Sequence, residues 1–333
     1  MNKRNKIFVL CPSHTKTGGT ELLHQLAYQL NRLGIETYLA YTNYEGDGKA
    51  AFPDFQKYLV TSAIKEEDIQ DNDNNLLVLP EIYYKKVKKY KRLKIYIWWL
   101  SVDFFLQESS FLARKRIKGF KSALKNLLMG KLRNKCGYIK LADMHLCQSY
   151  YAMDFLTRKG IGEDKIRYLS DYINDVYFEN KSEMLKDKRE DIVLYNPKKG
   201  FKFTKKLIDE SPELNWVELK DMTNKQVQEI MGRSKVYVDF GNHPGKDRIP
   251  REAAISGCCI ITGRQGAANY QQDVMIPDEF KFDEQKVEIQ SIIQKINICI
   301  KNYPVEARKF EDYRELIKLE KEKFVNDLCH IFL

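Results

Sequence analysis

The densest chemistry in the chain lies in Asp239-Phe240-Gly241-Asn242-His243-Pro244-Gly245-Lys246-Asp247-Arg248-Ile249-Pro250-Arg251-Glu252-Ala253-Ala254. An apolar run, Val236–Phe240, ends there, and a loop with Gly241 and Gly245 carries Lys246 and Arg248. Pro250 stands where a first helical residue would, ahead of a helix Arg251–Ser256 that Gly257 stops. Lys and Arg beside a helix N-terminus suit a diphosphate, each such contact contributing roughly 1.5–3 kcal/mol when desolvated. Glu252, expected in the first turn of that helix, can accept two hydrogen bonds from vicinal hydroxyls such as those of a ribose. The alternative for Glu252 is a surface acid favoured by the helix dipole, worth only ~0.3–1 kcal/mol.

Three further segments offer chemistry. Asn196-Pro197-Lys198-Lys199-Gly200 follows another apolar run, and a lysine placed there could neutralise a departing phosphate. Thr17-Gly18-Gly19-Thr20 follows the first run and opens a helix, a place where backbone amides can approach an anion; the alternative is a tight strand-to-helix turn. It is not a dinucleotide fingerprint, because the G-x-G-x-x-G spacing is absent and Glu36 precedes the second strand. Trp98-Trp99-Leu100-Ser101-Val102-Asp103 reads in two ways. Either Asp103 orients an acceptor hydroxyl while the indoles stack on sugar rings, or the run is a buried aromatic strand with a capping aspartate. Asp71-Asn72-Asp73 has the D-x-D form of a metal motif but precedes a strand and reads as a solvated turn. His14, His24, His145, His243 and His330 show no ligand spacing, so no metal is expected; His14, just past the first strand, is a lesser site candidate.

The opening Gly18-Gly19-Thr20-Glu21 with its helix and Gly34, the Lys199-Gly200 loop, and Glu252-Ala253-Ala254-Ile255-Ser256-Gly257 before an apolar strand resemble the nucleotide-sugar glycosyltransferases of the GT-B fold. The nearest likeness is to glycosyltransferase family 4, the retaining enzymes common in bacterial capsule and lipopolysaccharide synthesis, and it covers most of the chain. It implies two Rossmann-like α/β domains whose parallel sheets face a cleft, with a C-terminal helix packing back on the first domain. It also implies a nucleoside-diphosphate sugar in the second domain, a glycan or polyprenyl-linked glycan acceptor in the first, and metal-independent, retaining transfer without a cofactor. On this resemblance Glu252 binds the ribose, Lys199 contacts the diphosphate, and Gly18-Gly19 faces it from the first domain. The family carries a second glutamate, engaging the transferred sugar, eight residues before the ribose glutamate, where this chain has Pro244; His243 and Asp247 are the candidate substitutes. The family's basic residue before Lys-Gly is absent too. Asn196 lies near that place, and Lys198, Lys246 or Arg248 are the candidates to supply its charge, with Gly200 and Gly245 shaping the loops. A non-catalytic GT-B-like scaffold that binds glycan or lipid is the rival reading, and the missing glutamate favours it.

The elements that must hold these residues are legible as short apolar runs alternating with helical-period segments, the pattern of parallel sheets flanked by helices. In the first half the runs are Ile7–Cys11, Thr37–Tyr41, Leu76–Leu79, Ile95–Leu100 and Met144–Cys147; in the second, Ile192–Tyr195, Trp216–Leu219, Val236–Phe240 and Cys258–Thr262. Between the first two runs Leu22, Leu23, Leu26, Ala27, Leu30 and Leu33 share one helix face, with Gln25, Gln29 and Arg32 opposite. Thr223 with Gln226 predicts a capping box before a helix at Val227–Met231. The charged stretch Asp175–Asp191 has no apolar run and sets the expected boundary. That gives an acceptor domain over 1–175, a donor domain over 176–304 and a helical segment over 305–333.

At 333 residues with 43% apolar and 12% aromatic content, the chain can fill two cores, which excludes a stapled mini-protein or a disordered one. The net charge of +10 is not spread evenly. Residues 82–142 hold 17 Lys and Arg against Asp103 and Glu108, so this block carries +15 and the remainder −5. Arg114, Lys118, Lys121 and Lys125 recur at helical spacing beside an apolar stripe of Ile117, Phe120, Leu124, Leu127 and Leu128. That pattern fits a helix lying on an anionic membrane surface, or else an ordinary amphipathic helix with a solvated basic face. Nucleic acid is not expected as a partner, for no recognition module is visible. The seven scattered cysteines, without C-x-x-C, read as reduced core residues, and no run approaches a membrane span. The expected location is therefore cytoplasmic, peripheral at the inner face of the membrane.

Overall fold

The computed structural model describes residues 6–46, 49–130, 132, 136–179 and 189–333, with backbone alone at 116 and 117. The chain divides into two compact units, Met1–Ser170 with Val325–Leu333, and Asp171–Phe324. The final helix, Glu311–Phe332, therefore has residues in both units. Part of the expected linker, 180–188, lies outside the described residues.

The first unit is a seven-stranded sheet built from β1 (Ile7–Pro12), β2 (Thr37–Thr42), β3 (Ile64–Lys65), β4 (Leu76–Pro80), β5 (Lys94–Trp99), β6 (Met144–Cys147) and β7 (Ile166–Tyr168). Its spatial order is β3-β2-β1-β4-β5-β6-β7 and every pairing is parallel. The central strands are buried along their length, which is why they read as apolar runs without alternation. Helix α1 (Gly18–Arg32) follows β1; Thr17 caps it by accepting the Thr20 amide at 3.1 Å, and Gly34, at φ 81°, ends it. Gln25 and Gln29, expected on a polar face, are buried, because the 53–58 turn covers that side and Gln25 Nε2 donates to Tyr58 OH at 3.4 Å. At the far end of the chain, the Phe332 ring lies 6.0 Å from that of Tyr96 on β5.

The basic block folds differently from its periodicity. Where one helix was expected, α2 (Val102–Ser109) is followed by two short helices, α3 (Phe111–Lys118) and α4 (Phe120–Leu128), split at Gly119 with φ 84°. Arg114 does not face outward with the lysines; its guanidinium donates to Ser122 Oγ at 3.1 Å and Gln107 O at 3.2 Å, fastening α3 to its neighbours. The side chain of Ile117, and Lys131, Arg133 and Lys135, lie outside the described residues.

The second unit repeats the plan with β8 (Glu190–Tyr195), β9 (Asn215–Glu218), β10 (Ser234–Asp239), β11 (Cys259–Gly263) and β12 (Lys281–Phe282) in the order β12-β11-β10-β8-β9, again all parallel. The capping box forms as expected, Thr223 N donating to Gln226 Oε1 at 2.8 Å, and its helix runs Asn224–Arg233. Because all these strands are parallel, the loops after β8, β10, β11 and β12 share the carboxyl edge of the sheet, where ligands of open α/β sheets bind.

Candidate functional site

Two loops on that edge touch so closely that glycine is required. Gly200 has φ 58°, and a Cβ on it would collide with the Phe240 carbonyl; a Cβ on Gly241 would come within 2.6 Å of Lys199 Cβ. The Asn196–Gly200 loop after β8 is thereby locked to the loop after β10. Lys199 Nζ lies 2.5 Å from Asp247 Oδ2. A third loop joins them through Gly266 (φ 60°), where the Ala267 amide donates to His243 O at 2.8 Å and a Cβ would strike that same carbonyl.

The helix expected at Arg251–Ser256 instead runs Arg248–Ile255, with Asp247 as its N-cap and Pro250 as its third residue. Proline is tolerated there because the first four amides of a helix have no partner within it. Glu252 consequently sits in the second turn, half-buried, and Arg248 takes the first position, also half-buried.

His243 is enclosed rather than presented. Its ring is wholly buried, with Nδ1 3.0 Å from Asp247 Oδ2 and Nε2 3.7 Å from Asp239 Oδ1, ion-pair spacings rather than aligned hydrogen bonds. Burial alone would lower its pKa, but the two carboxylates hold it above the ordinary value. Burial would likewise raise Asp247, yet Lys199 and His243 bring it down to about 2. Sequence spacing pointed to no histidine cluster, but folding brings the ligand atoms of Asp239, His243 and Asp247 within 4.8 Å of one another, near enough to share a cation. The cation already beside them is the Lys199 ammonium.

Other expected donor residues are partly committed to the fold. Asn196 Oδ1 accepts the Lys198 amide at 3.0 Å, an Asx turn that shapes the loop, while the Lys198 side chain is exposed. Gly245 is buried. Lys246 Nζ lies 2.7 Å from Glu320 Oε1, each side chain at most 10% exposed, so its charge is answered within the protein. The same carboxylate binds Arg251, which sequence reading passed over. That guanidinium is fully buried, donating to Asp171 Oδ2 at 2.6 Å, Glu320 Oε2 at 2.7 Å and the carbonyls of Asp247 and Lys246 at 3.1 Å each. It holds the loop from beneath. Glu284, just past β12, was also missed. It accepts from Gln265 Nε2 at 2.7 Å, and burial pushes its carboxyl up to about 7.

In the first unit the expected residues lie at the corresponding edge. Gly18 and Gly19 open α1 without positive φ, and a Cβ on Gly19 would only touch Leu100 at 3.5 Å, so position 19 does not itself demand glycine. Asp103 is in the first turn of α2 and 6% exposed. The stacking role considered for Trp98 and Trp99 is overturned: both rings are completely buried, their Nε1 atoms donating to Leu169 O and His145 Nδ1 at 3.1 and 3.0 Å. His14 is exposed at φ 50°. Asp71 and Asp73 secure a turn, Asp71 accepting the amides of Lys91, Arg92 and Leu93 and Asp73 pairing with Arg92.

Two doubly wound parallel α/β units with an anion-suited loop edge define the GT-B architecture. Sucrose-phosphate synthase from Thermosynechococcus elongatus superposes with a TM-score of 0.67 at 12% identity, over 99% of this chain and 98% of that one. Anabaena HepE in complex with UDP-glucose gives 0.59 at 12% over 98% and 100%. A mutant of Staphylococcus aureus TarM, in complex with fondaparinux, α-GlcNAc-glycerol and UDP, gives 0.55 at 13%. That match covers 80% of this chain and only 57% of the TarM chain, so this chain spans little more than half its length. No protein-family model and no curated protein matches the sequence. At these identities the likeness is one of fold.

Proposed function

We propose that the protein transfers a glycosyl group from a nucleoside-diphosphate sugar to a glycan or lipid-linked glycan acceptor, as a member of glycosyltransferase family 4 working in bacterial surface polysaccharide synthesis. The observation that carries this reading is the interlocked carboxyl edge of the second unit, where glycine-locked loops carry Lys199 and lead into the helix that begins at Arg248 and holds Glu252 in its second turn. Similarly folded proteins in complex with UDP and with UDP-glucose support it.

In this proposal Glu252 holds the ribose hydroxyls, while Lys199, Arg248 and the helix N-terminus meet the diphosphate. The bond from the sugar's anomeric carbon to the β-phosphate oxygen breaks, and its electron pair leaves on the diphosphate, which those charges stabilise without a metal. The acceptor hydroxyl forms the new bond and passes its proton to the departing diphosphate oxygen, with Asp103 the candidate to orient it. Retention of configuration rests on the family resemblance. Peripheral binding to the inner face of the membrane draws support from exposed Leu112, Leu127, Leu128 and Met129 beside exposed Lys115, Lys118, Lys121 and Lys125. No described helix is long and apolar enough to cross a membrane.

The rival, binding without transfer, draws on Pro244, on the enclosed His243 and on Asp247, the other candidate substitute for the family's sugar-contacting carboxylate, whose oxygen is engaged by Lys199 and His243. Release of free nucleotide from UDP-, GDP-, CMP- and dTDP-sugars, measured with and without glycan acceptors, separates the two. Transfer is expected from at least one donor, falling about 10- to 100-fold in Lys199→Met. Nucleotide binding with no release from any donor would establish the scaffold instead.

A further inference from the structure

The loop after β10 buries more charge than a diphosphate contact requires. Asp239 and Asp247 flank one fully buried imidazole, and Lys199 Nζ reaches the Asp247 oxygen that faces that imidazole. Tyr237 OH and the Gly241 amide also bind Asp239, at 3.0 Å each, but as neutral donors. If His243 were neutral, two carboxylates and one ammonium would leave a negative charge where an anion has to arrive. With an imidazolium the group is balanced, and the field of Lys199 is not cancelled by the second carboxylate.

We propose that His243 is a positioning residue for Lys199: a buried counter-charge that satisfies Asp239 and Asp247 together, so that Asp247 holds the ammonium in place without quenching it toward an incoming diphosphate. The idea rests on the reading of Lys199 as a diphosphate ligand and adds to it the reason for an enclosed histidine where no sugar can reach. Three features agree with it. The two carboxylates keep the ring's pKa above its usual value despite burial. Glu284, a further acid near this edge, is held largely neutral by burial below pH 7 and adds little negative charge there. The His243 carbonyl accepts the Ala267 amide at 2.8 Å, which fixes the backbone from which the buried ring projects.

The test is a charge rescue. Calorimetry with inorganic pyrophosphate and with UDP, GDP, CDP and dTDP would compare wild type, His243→Gln, Asp239→Asn and the double variant. His243→Gln should weaken diphosphate binding about 10-fold, the effect of one uncompensated charge several ångströms away at an intermediate dielectric. Adding Asp239→Asn should restore most of that loss. Persistent loss in the double variant would mean that the ring merely fills space, and would overturn the proposal. Should His243→Gln fail to fold, Asp239→Asn alone should bind pyrophosphate more tightly than wild type, and weaker binding would be contrary. Acetic anhydride labelling followed by mass spectrometry needs no ligand. Lys199 should react severalfold more slowly in His243→Gln and recover in the double variant, with Lys202, exposed on the helix Phe201–Glu210, unchanged as the internal standard. Unaltered Lys199 labelling would overturn the coupling. Failure of wild type to bind any diphosphate would count against the donor reading alone.

Discussion

Glu81 shows how a single carboxyl couples the first unit's fold to pH. It follows β4, is 1% exposed, and accepts the Leu100 amide at 3.0 Å, while burial pushes its pKa from 4.5 up to about 7. Between those values the unfolded chain gives up the proton and the folded one keeps it. Stability from this group is therefore complete below pH 4.5, declines as pH rises toward 7, and then levels off roughly 3 kcal/mol lower. Glu81→Gln, which keeps the acceptor for Leu100, should be more stable than wild type by about 1–3 kcal/mol at pH 8 and equal to it at pH 4.5 by urea unfolding. The same gain at both pH values would contradict the assignment. What sequence conveyed at this scale was residue type near a strand end: Lys199, Arg248 and Glu252 stand out as candidates because cations and an acid beside a helix start have a chemical meaning of their own. Arg251 does not, and His243 stands out only as a substitute for the family's sugar-contacting glutamate, not as an enclosed ring between two carboxylates. Their roles depend on partners supplied by folding, Asp171 and Glu320 for Arg251, which lie far away along the chain.

Elements were legible where burial is one-sided or complete and the run is long. The four- to six-residue strands stand out as apolar runs, whereas β3, β7 and β12 are two or three residues long and too short to show any period. Helix breaks were harder. Gly119 divides the basic block, although lysine spacing runs across it without interruption. Gly200 matters more, since its left-handed backbone and its approach to Phe240 join two site loops. Gly200→Ala should cost about 2–4 kcal/mol in stability and displace Lys199, so nucleotide binding should fall with it. Wild-type unfolding and binding in this variant would show that the loops are not locked. For the α3–α4 surface, flotation with anionic vesicles should be lost when Lys118, Lys121 and Lys125 are all changed to Gln, each lysine contributing about 1 kcal/mol, and should not occur with neutral vesicles. Arg114, bound within the fold, is not part of that surface, and retained flotation of the triple variant would remove it as a lipid contact.

For the whole molecule, length pointed to two domains and the alternation of apolar runs with helical segments to α/β units, and the structure has two parallel sheets, of seven and five strands. The +10 charge belongs chiefly to a block in the first unit, while the proposed donor edge in the second uses only a few cations, some of them answered internally by Glu320 and Asp247. In the proposed function the basic block serves the membrane surface and the glycine-locked edge serves the donor. The most direct measurement is isothermal titration of the intact protein with UDP-, GDP-, CMP- and dTDP-sugars, repeated on Glu252→Ala. The account predicts saturable binding of at least one nucleotide sugar, weakened roughly 10-fold or more by loss of the ribose contact. Binding of none of them, or undiminished binding by Glu252→Ala, would contradict it.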